Sequence, residues 1–564
     1  MTQYKLPNIP LFSNAITYVQ QQKGPAIDDI RADKAFSYSE LVSATCLLRE
    51  KLLGNTEDLK EQRVAILCPS GFAYVVAQWA VWAAGGVAVP LCTTHPLPEQ
   101  LYTIQDSQAT LIIGHPVFSD RVNEITKEEG GIPSIIIDDE QLLEWGKAAI
   151  VAKTFDMDLE RRAMILYTSG TTGKPKGVVT THKNIDAQAS VLVEAWYWSD
   201  TDRIHHILPL HHVHGIINAL TCPLYIGAIV EMHQKFDANQ VWDRWLSSAP
   251  PLPKPTREIN EETEYDNTTT HIEKHQHTPS RPRLSIFMSV PTVYAKLIKQ
   301  YQSYPEAERP EYSNACRQFR FQVSGSASLP THLRDTWRKL SNGQVLLERY
   351  GMTEIGMALS QYYPISERVE GTVGFPLKGV EVRLMAESEE GSGVFDKDVT
   401  DLRDAPGMVQ IKGPNVFKEY WRRPEATEKE FTKDGWFVTG DYGMRTNQQG
   451  YFRILGRASV DIIKTGGEKV SALEIEREFL SASLGVHDVA VVGLPDPEWG
   501  QRVAAVVVLD DGKSLDLETM RKVMKTRLAV YKVPQLLKIV SELPKNAMGK
   551  VTKKALIKLF EDNQ

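Results

Sequence analysis

MILYTSGTTGKPKG, residues 164–177, decides how the rest of the chain is read. Four apolar residues in a row suit a buried strand, and the ten that follow are all Gly, Pro, Lys, Ser or Thr. A flexible cationic loop leaving a strand is built to hold phosphate. The hydroxyls of Thr168, Ser169, Thr171 and Thr172, backbone N–H groups around Gly170, Gly173 and Pro175, and the ammonium groups of Lys174 and Lys176 can converge on a polyanion. A Walker A loop needs four residues between its first Gly and its Gly-Lys-Ser/Thr end. Here two residues separate Gly170 from Gly173 and Pro175 follows Lys174, so P-loop kinase and GTPase mechanisms lose their support.

Similar short apolar runs at 64–67, 110–113 and 134–137 alternate with helix-like segments, the pattern of a parallel α/β sheet. The longest apolar stretch, 72–91, has the length of a membrane span but contains Gln78, Gly85-Gly86 and Pro90. It reads as a buried helix stopped by the glycines, then a short strand at 87–89. Residues 250–281 are polar, Pro-rich and nearly free of aliphatic side chains, so they predict a disordered insertion. Its His271, His275 and His277 lack Cys partners or a folded scaffold for a metal. A boundary near Gly456-Arg457 divides the chain into 1–456 and 457–564. Beyond it, strands at 489–492 and 503–509 and a helix with Leu517, Met520, Met524 and Leu528 predict a small α+β domain.

Composition narrows the class. The 564 residues carry 64 basic and 71 acidic side chains, net −7, which gives no electrostatic footprint for nucleic acid or an anionic membrane. Cys46, Cys68, Cys92, Cys222 and Cys316 show no paired spacing, which suits a reducing compartment and argues against a disulfide framework or a zinc site. The first residues form a poor mitochondrial transit peptide, with Lys5 and Lys23 the only cations before Asp28, and no secretory or peroxisomal signal is evident. The expectation is a cytoplasmic protein, with the mitochondrial matrix as the alternative.

Five more segments join the opening loop: LPLHHVHG (208–215), SGSASLP (324–330), ERYGMTE (348–354), GWFVTGD (435–441) with Gly456-Arg457, and PKNAMGK (544–550). Together these six, in order, resemble the motifs of the adenylate-forming acyl-CoA synthetases across nearly the whole chain. The resemblance implies an α/β fold: a large N-terminal parallel-sheet sandwich with a β-barrel-like subdomain, and a small mobile C-terminal α+β domain. It implies a ligase using ATP, Mg²⁺ and coenzyme A: a carboxylate attacks the ATP α-phosphate, pyrophosphate leaves, and the coenzyme A thiol then displaces AMP. The physical need is control of charge as an anion approaches a polyanion.

By the same resemblance Lys550 is the catalytic cation, touching carboxylate and α-phosphate, while Thr353 and Glu354 meet phosphate and Mg²⁺. Asp441 accepts the ribose hydroxyls with Arg457 assisting. Gly325, Ser326, Ala327 and the Tyr350 ring form the adenine pocket, and Glu348, Arg349, Gly351 and Met352 complete the nucleotide site. Thr465, Gly466 and Gly467 line the pantetheine tunnel. Asp461 follows Arg457 by four positions, one more than the family pattern, so the hinge is Ser459 or Val460.

LPLHHVHG borders the acyl pocket, with His212 and His214 as substrate residues. If that segment is a strand, residues two apart share a face, but His211, His212 and His214 lack a further ligand at metal spacing. ERYGMTE, LPLHHVHG and TGGEKVSALEIE (465–476) resemble the malonyl-CoA synthetase branch. A dicarboxylate leaves its second carboxylate in the pocket, where it must meet a cation. Lys296 in VPTVYAK and Arg349 are the candidates; Lys296 stands where the branch has Arg, which gives up bidentate geometry. Other readings are a medium-chain or aromatic acid ligase, a carrier-loading adenylation enzyme and an inactive nucleotide-binding protein. Small-molecule carboxylate, ATP and coenzyme A are the expected partners, without nucleic acid or membrane span.

Overall fold

The computed structural model describes residues 3–148, 150–168, 174–251, 280–389, 394–458, 460–465, 468–496, 499–545 and 551–561. Most of the insertion, together with Ser169, Gly170, Thr171, Thr172, Gly173, Ser459, Gly466, Gly467 and Lys550, lies outside the described residues.

The apolar runs pair as the alternation predicts. Strands Arg162–Thr168, Val87–Pro90, Arg63–Leu67, Leu111–Gly114 and Ser134–Ile136 lie side by side in parallel within a seven-stranded sheet. Its remaining strands, Lys176–Thr181 and Glu419–Tyr420, run antiparallel. The phosphate-loop segment therefore joins two strands of a hairpin, with Lys176 opposite Thr168, and no helix follows it directly. Phe72–Ala83 is a helix buried at every residue, with Trp79 and Trp82 in the core. It starts where buried Asp29 accepts the Phe72 N–H at 2.9 Å and stops before Gly85, whose φ of 75° suits a residue without Cβ. Among the described residues no helix is long and apolar enough to cross a membrane.

A second, nine-stranded sheet has a parallel centre, in the order Leu347–Met352, Phe321–Ser324, Ile286–Ser289, Arg203–His206, Ile229–Met232 and Pro25–Asp29. The part expected to be barrel-like is a five-stranded antiparallel sheet, Phe395–Asp398, Glu381–Glu387, Gly407–Lys412, Phe437–Arg445 and Phe452–Arg457.

The last hundred residues build their own core around the antiparallel strands Val486–Asp496 and Gly500–Leu509. Val489, Val491, Val503, Ala505 and Val507 pack under helices Ala472–Ser481 and Leu517–Met524, while Ala490, Val492, Ala504 and Val506 meet Leu556 of helix Lys553–Glu561 on the other face. The period-two pleat sorts these residues, and both faces are covered.

Candidate functional site

The C-terminal ends of parallel strands are where open α/β sheets gather ligands, and the motifs converge there. Ser289 and Ser324 pair across neighbouring strands, and Ser324 pairs in turn with Glu348. Just beyond Ser324, Gly325 is buried, while Ser326 and Ala327 are exposed. Ser326 holds φ at 65°, a left-handed conformation that a side-chain-bearing residue adopts at a cost. A Cβ at Gly325 would lie 2.4 Å from the Arg349 guanidinium carbon, so only Gly lets that arginine cross behind the loop.

Arg349 is buried, and among the described residues no carboxylate pairs with it. Its Nη2 donates to Ser326 Oγ at 3.3 Å, its Nε has no partner, and burial pushes its pKa down to about 9. His214 lies beside it, with Nδ1 3.4 Å from Ser326 Oγ and Nε2 unpartnered. Burial, with Arg349 adding to it, holds His214 well below the ordinary imidazole value and hence neutral. Ser289 Oγ, Ser324 Oγ and both side-chain polar atoms of Asn218 are likewise buried without partners. Native interiors rarely leave buried polar atoms unmet, so Arg349 Nε and His214 Nε2, both beside Ser326, suit a polar ligand.

LPLHHVHG is not a strand. The chain turns after Pro209, His211 and His212 lie in that turn with rings 4.0 Å apart, and His214 opens a π-helical stretch, His214–Thr221. The period-two argument for the histidines therefore fails, and a π-turn aims His214 inward instead. Lys296 is exposed on helix Pro291–Ser303, its ammonium 5.8 Å from the Phe236 ring centre. Among the described residues no carboxylate pairs with it, so the two candidate cations differ in burial.

Tyr350, Asp441 and Arg457 meet where strand Leu347–Met352 approaches strands Phe437–Arg445 and Phe452–Arg457. The Tyr350 hydroxyl donates to Asp441 Oδ2 at 2.6 Å and Arg457 Nε to Asp441 Oδ1 at 2.8 Å. The Asp441 N–H is held by Thr439 Oγ1 at 3.0 Å, and Gly351 and Met352 continue the strand, with Met352 Sδ 4.0 Å from Arg457 Nη2. Arg457 starts the turn to the small domain: its N–H donates to Asp461 Oδ2 at 3.0 Å, and Val460 N–H donates to the Arg457 carbonyl at 3.1 Å.

Thr353 and Glu354 occupy the tight turn after that strand. Glu354 is buried, and burial raises its carboxyl although the Tyr420 hydroxyl donates to Oε1 at 2.9 Å. Lys176 bridges toward it from the hairpin, with Nζ 4.0 Å from the Tyr420 ring centre. At the hairpin's other edge Lys174 lies over Tyr102 at 5.5 Å, and the Tyr102 hydroxyl donates to the Pro175 carbonyl at 2.7 Å. Thr168 Oγ1 reaches the Lys176 carbonyl at 3.4 Å. Thr465 is buried in strand Ile462–Thr465 opposite Glu468.

Tyr420, Tyr102, Ser289 and Asn218 escaped the sequence reading because they belong to no motif. Only the three-dimensional pairing of strands, or an alternation ending in a polar residue such as Ser289, marks them.

A family model described as AMP-binding enzyme matches residues 17–248 and 268–421, and one described as AMP-binding enzyme C-terminal domain matches 474–550. The chain is 41% identical to the mitochondrial malonate–CoA ligase ACSF3 of Mus musculus, over 98% of this chain and 90% of that protein. ATP-bound MatB from Rhodopseudomonas palustris aligns with a TM-score of 0.80 at 31% identity, over 98% of this chain and 99% of that one. A malonyl-CoA ligase ternary product complex with methylmalonyl-CoA and AMP aligns at 29% identity over 93% and 97%, with a TM-score of 0.60. With its motifs, sheets and full-length relatives in agreement, the chain belongs to the AMP-binding enzyme family.

Proposed function

We propose that the protein joins a short dicarboxylate, malonate first and methylmalonate second, to coenzyme A through an acyl-adenylate. The single observation that carries this is Arg349, a guanidinium buried behind Gly325 with no carboxylate paired to it among the described residues. Such a group is costly until an anion arrives, and a second substrate carboxylate is the anion that fits. The malonate named for the relatives supports the same choice.

One carboxylate oxygen attacks the α-phosphorus, and the bond to pyrophosphate breaks. The coenzyme A sulfur then attacks the acyl carbon, and the bond to AMP breaks. Asp441 and Arg457 would position the ribose, Tyr350 the base, and Lys174 and Lys176 the leaving phosphates. Glu354 suits a hard cation, because it is a buried carboxylate that the Tyr420 hydroxyl holds at Oε1. Mg²⁺ there would neutralise phosphate charge. Lys550 would approach from the small domain, residues 457–564, which would turn about Val460 and neighbouring Ser459 between the two steps. Thr465, Gly466 and Gly467 would then border the pantetheine arm. An aqueous reducing compartment, cytoplasm or mitochondrial matrix, suits the five free cysteines, and a fluorescent fusion tells them apart.

Arg349→Ala and Lys296→Ala, each assayed with malonate and with a monocarboxylate, test the reading. A selective loss of malonate turnover in either variant supports it. If neither variant loses malonate selectively, the dicarboxylate assignment is wrong.

A further inference from the structure

Spacing along the chain leaves His211 without companions, but the fold provides them. Cys92 and His95 lie on the loop after strand Val87–Pro90 of the seven-stranded sheet, and His211 on the turn beyond strand Arg203–His206 of the nine-stranded sheet. Each offers one ligand atom, and the three atoms lie within 4.8 Å of one another. We propose that Cys92, His95 and His211 form a site for a thiophilic divalent cation, with Zn²⁺ the best match.

The donor set is a thiol and two imidazoles, which Zn²⁺ prefers to the all-oxygen set that suits Mg²⁺. Cys-x-x-His is a compact half-site, and tetrahedral Zn–S and Zn–N bonds bring neighbouring donors to roughly 3.5 Å, an adjustment that side-chain rotation covers. His95 Nδ1 lies 3.1 Å from Glu99 Oε2. A proton on Nδ1 directed at that carboxylate leaves the Nε2 lone pair for the metal, the usual outer-shell arrangement of a zinc histidine. Cys92 is 8% exposed and both histidines are partly exposed, so an ion has a way in and water can fill a fourth position. The Arg121 guanidinium near this loop is occupied, donating to the His95 carbonyl at 3.2 Å and to Gln100 Oε1 at 2.8 Å. Binding would release the Cys92 thiol proton to solvent.

A second cluster of similar composition shows what the first is not. His205, Glu231 and His233 also lie within 4.8 Å of one another. There Glu231 accepts two hydrogen bonds from Arg244, at 2.6 and 2.7 Å, with Arg203 at 3.4 Å, and His205 Nδ1 accepts the Trp245 indole N–H at 2.9 Å. There the carboxylate is engaged by two guanidinium groups, which repel a cation.

The test uses the full chain, stripped of metal, with Zn²⁺ titrated in competition with a chromophoric chelator under excess Mg²⁺, and Co²⁺ as a spectroscopic substitute. The expected result is one Zn²⁺ per chain and, with Co²⁺, a thiolate charge-transfer band. Cys92→Ser should lose that band, and both Cys92→Ser and His211→Ala should weaken binding at least about tenfold, while their metal-free melting stays that of the parent. A variant with His271, His275 and His277 all changed to Ala should keep the ion. In the unmutated protein Zn²⁺ should slow alkylation of Cys92, read by peptide mass spectrometry, which decides the matter even if a variant misfolds. Absence of stoichiometric Zn²⁺, an unprotected Cys92, or loss of the ion in the insertion variant with retention in Cys92→Ser would each overturn the proposal.

Discussion

Arg349 and Glu348 are neighbours in sequence with opposite problems, and both problems are burial. Arg349 gives up hydration, and among the described residues no carboxylate pairs with it, so its charge is costly to the fold. Arg349→Met is expected to raise thermal stability by on the order of 1–4 kcal/mol while lowering malonate kcat/KM about a hundredfold or more, checked by melting and by acid-dependent pyrophosphate release. Glu348 faces Arg334 and Arg477, but burial dominates and pushes its carboxyl up to about 7. A folded-state value above the unfolded one means that folding favours the protonated acid. Its stabilising contribution is complete below about 4.5 and is lost as pH rises through about 7. Melting temperatures of Glu348→Gln and the parent, compared from acid to neutral pH, should show the parent losing stability over that window and the variant losing less. The sequence marks both residues through their motif, but their burial and the absent counter-ion exist only in the packed molecule.

At the scale of elements, the hairpin that flanks the Gly-rich segment 168–177 is clamped from outside the motif. The Tyr167 hydroxyl donates to Asp106 Oδ2 at 2.8 Å, Arg423 Nη2 donates to Asp106 Oδ1 at 2.7 Å and to the Tyr102 hydroxyl at 3.2 Å, and Tyr102 holds the Pro175 carbonyl. Helix Leu97–Ser107 thus fixes where the loop starts and ends. Asp106→Ala should raise KM for ATP about tenfold through loss of positioning, with KM for the acid little changed, which initial-rate kinetics will show. The loop and its strand were legible because apolar run and Gly-rich run abut. The clamp was not, since Tyr102, Asp106 and Arg423 come from distant segments and none has a distinctive spacing. LPLHHVHG misled for a related reason: alternating His and apolar residues fit a strand by period, while Pro209 and the following apolar run favour a turn and a helix.

At the scale of the molecule, the small domain touches the large one where the site lies. Arg477 on helix Ala472–Ser481 reaches Ser328 Oγ at 3.4 Å and faces Glu348. Lys553, three residues beyond Lys550, lies between Asp461 at 2.7 Å and Glu476 at 2.8 Å. Asp461 in the turn after Arg457 and Glu476 on helix Ala472–Ser481 are therefore both tied to helix Lys553–Glu561. Lys550→Ala should abolish malonate-dependent pyrophosphate exchange by about a thousandfold yet convert supplied malonyl-adenylate to the thioester, as single-turnover mass spectrometry will show. Division into two cores was readable from the alternation of apolar runs, because each sheet needs its own cover. The acid was legible only through the resemblance of the motifs to the malonyl-CoA synthetase branch, because the burial of Arg349 and the exposure of Lys296 exist only in the packed molecule.

The most direct test gives purified protein ATP, Mg²⁺ and coenzyme A with a panel of mono- and dicarboxylates and identifies the products by mass. Malonyl-CoA, AMP and pyrophosphate are expected in equal amounts, with malonate giving the highest kcat/KM and methylmalonate next. A monocarboxylate used better than malonate, or no thioester from malonate at all, would contradict the proposed function.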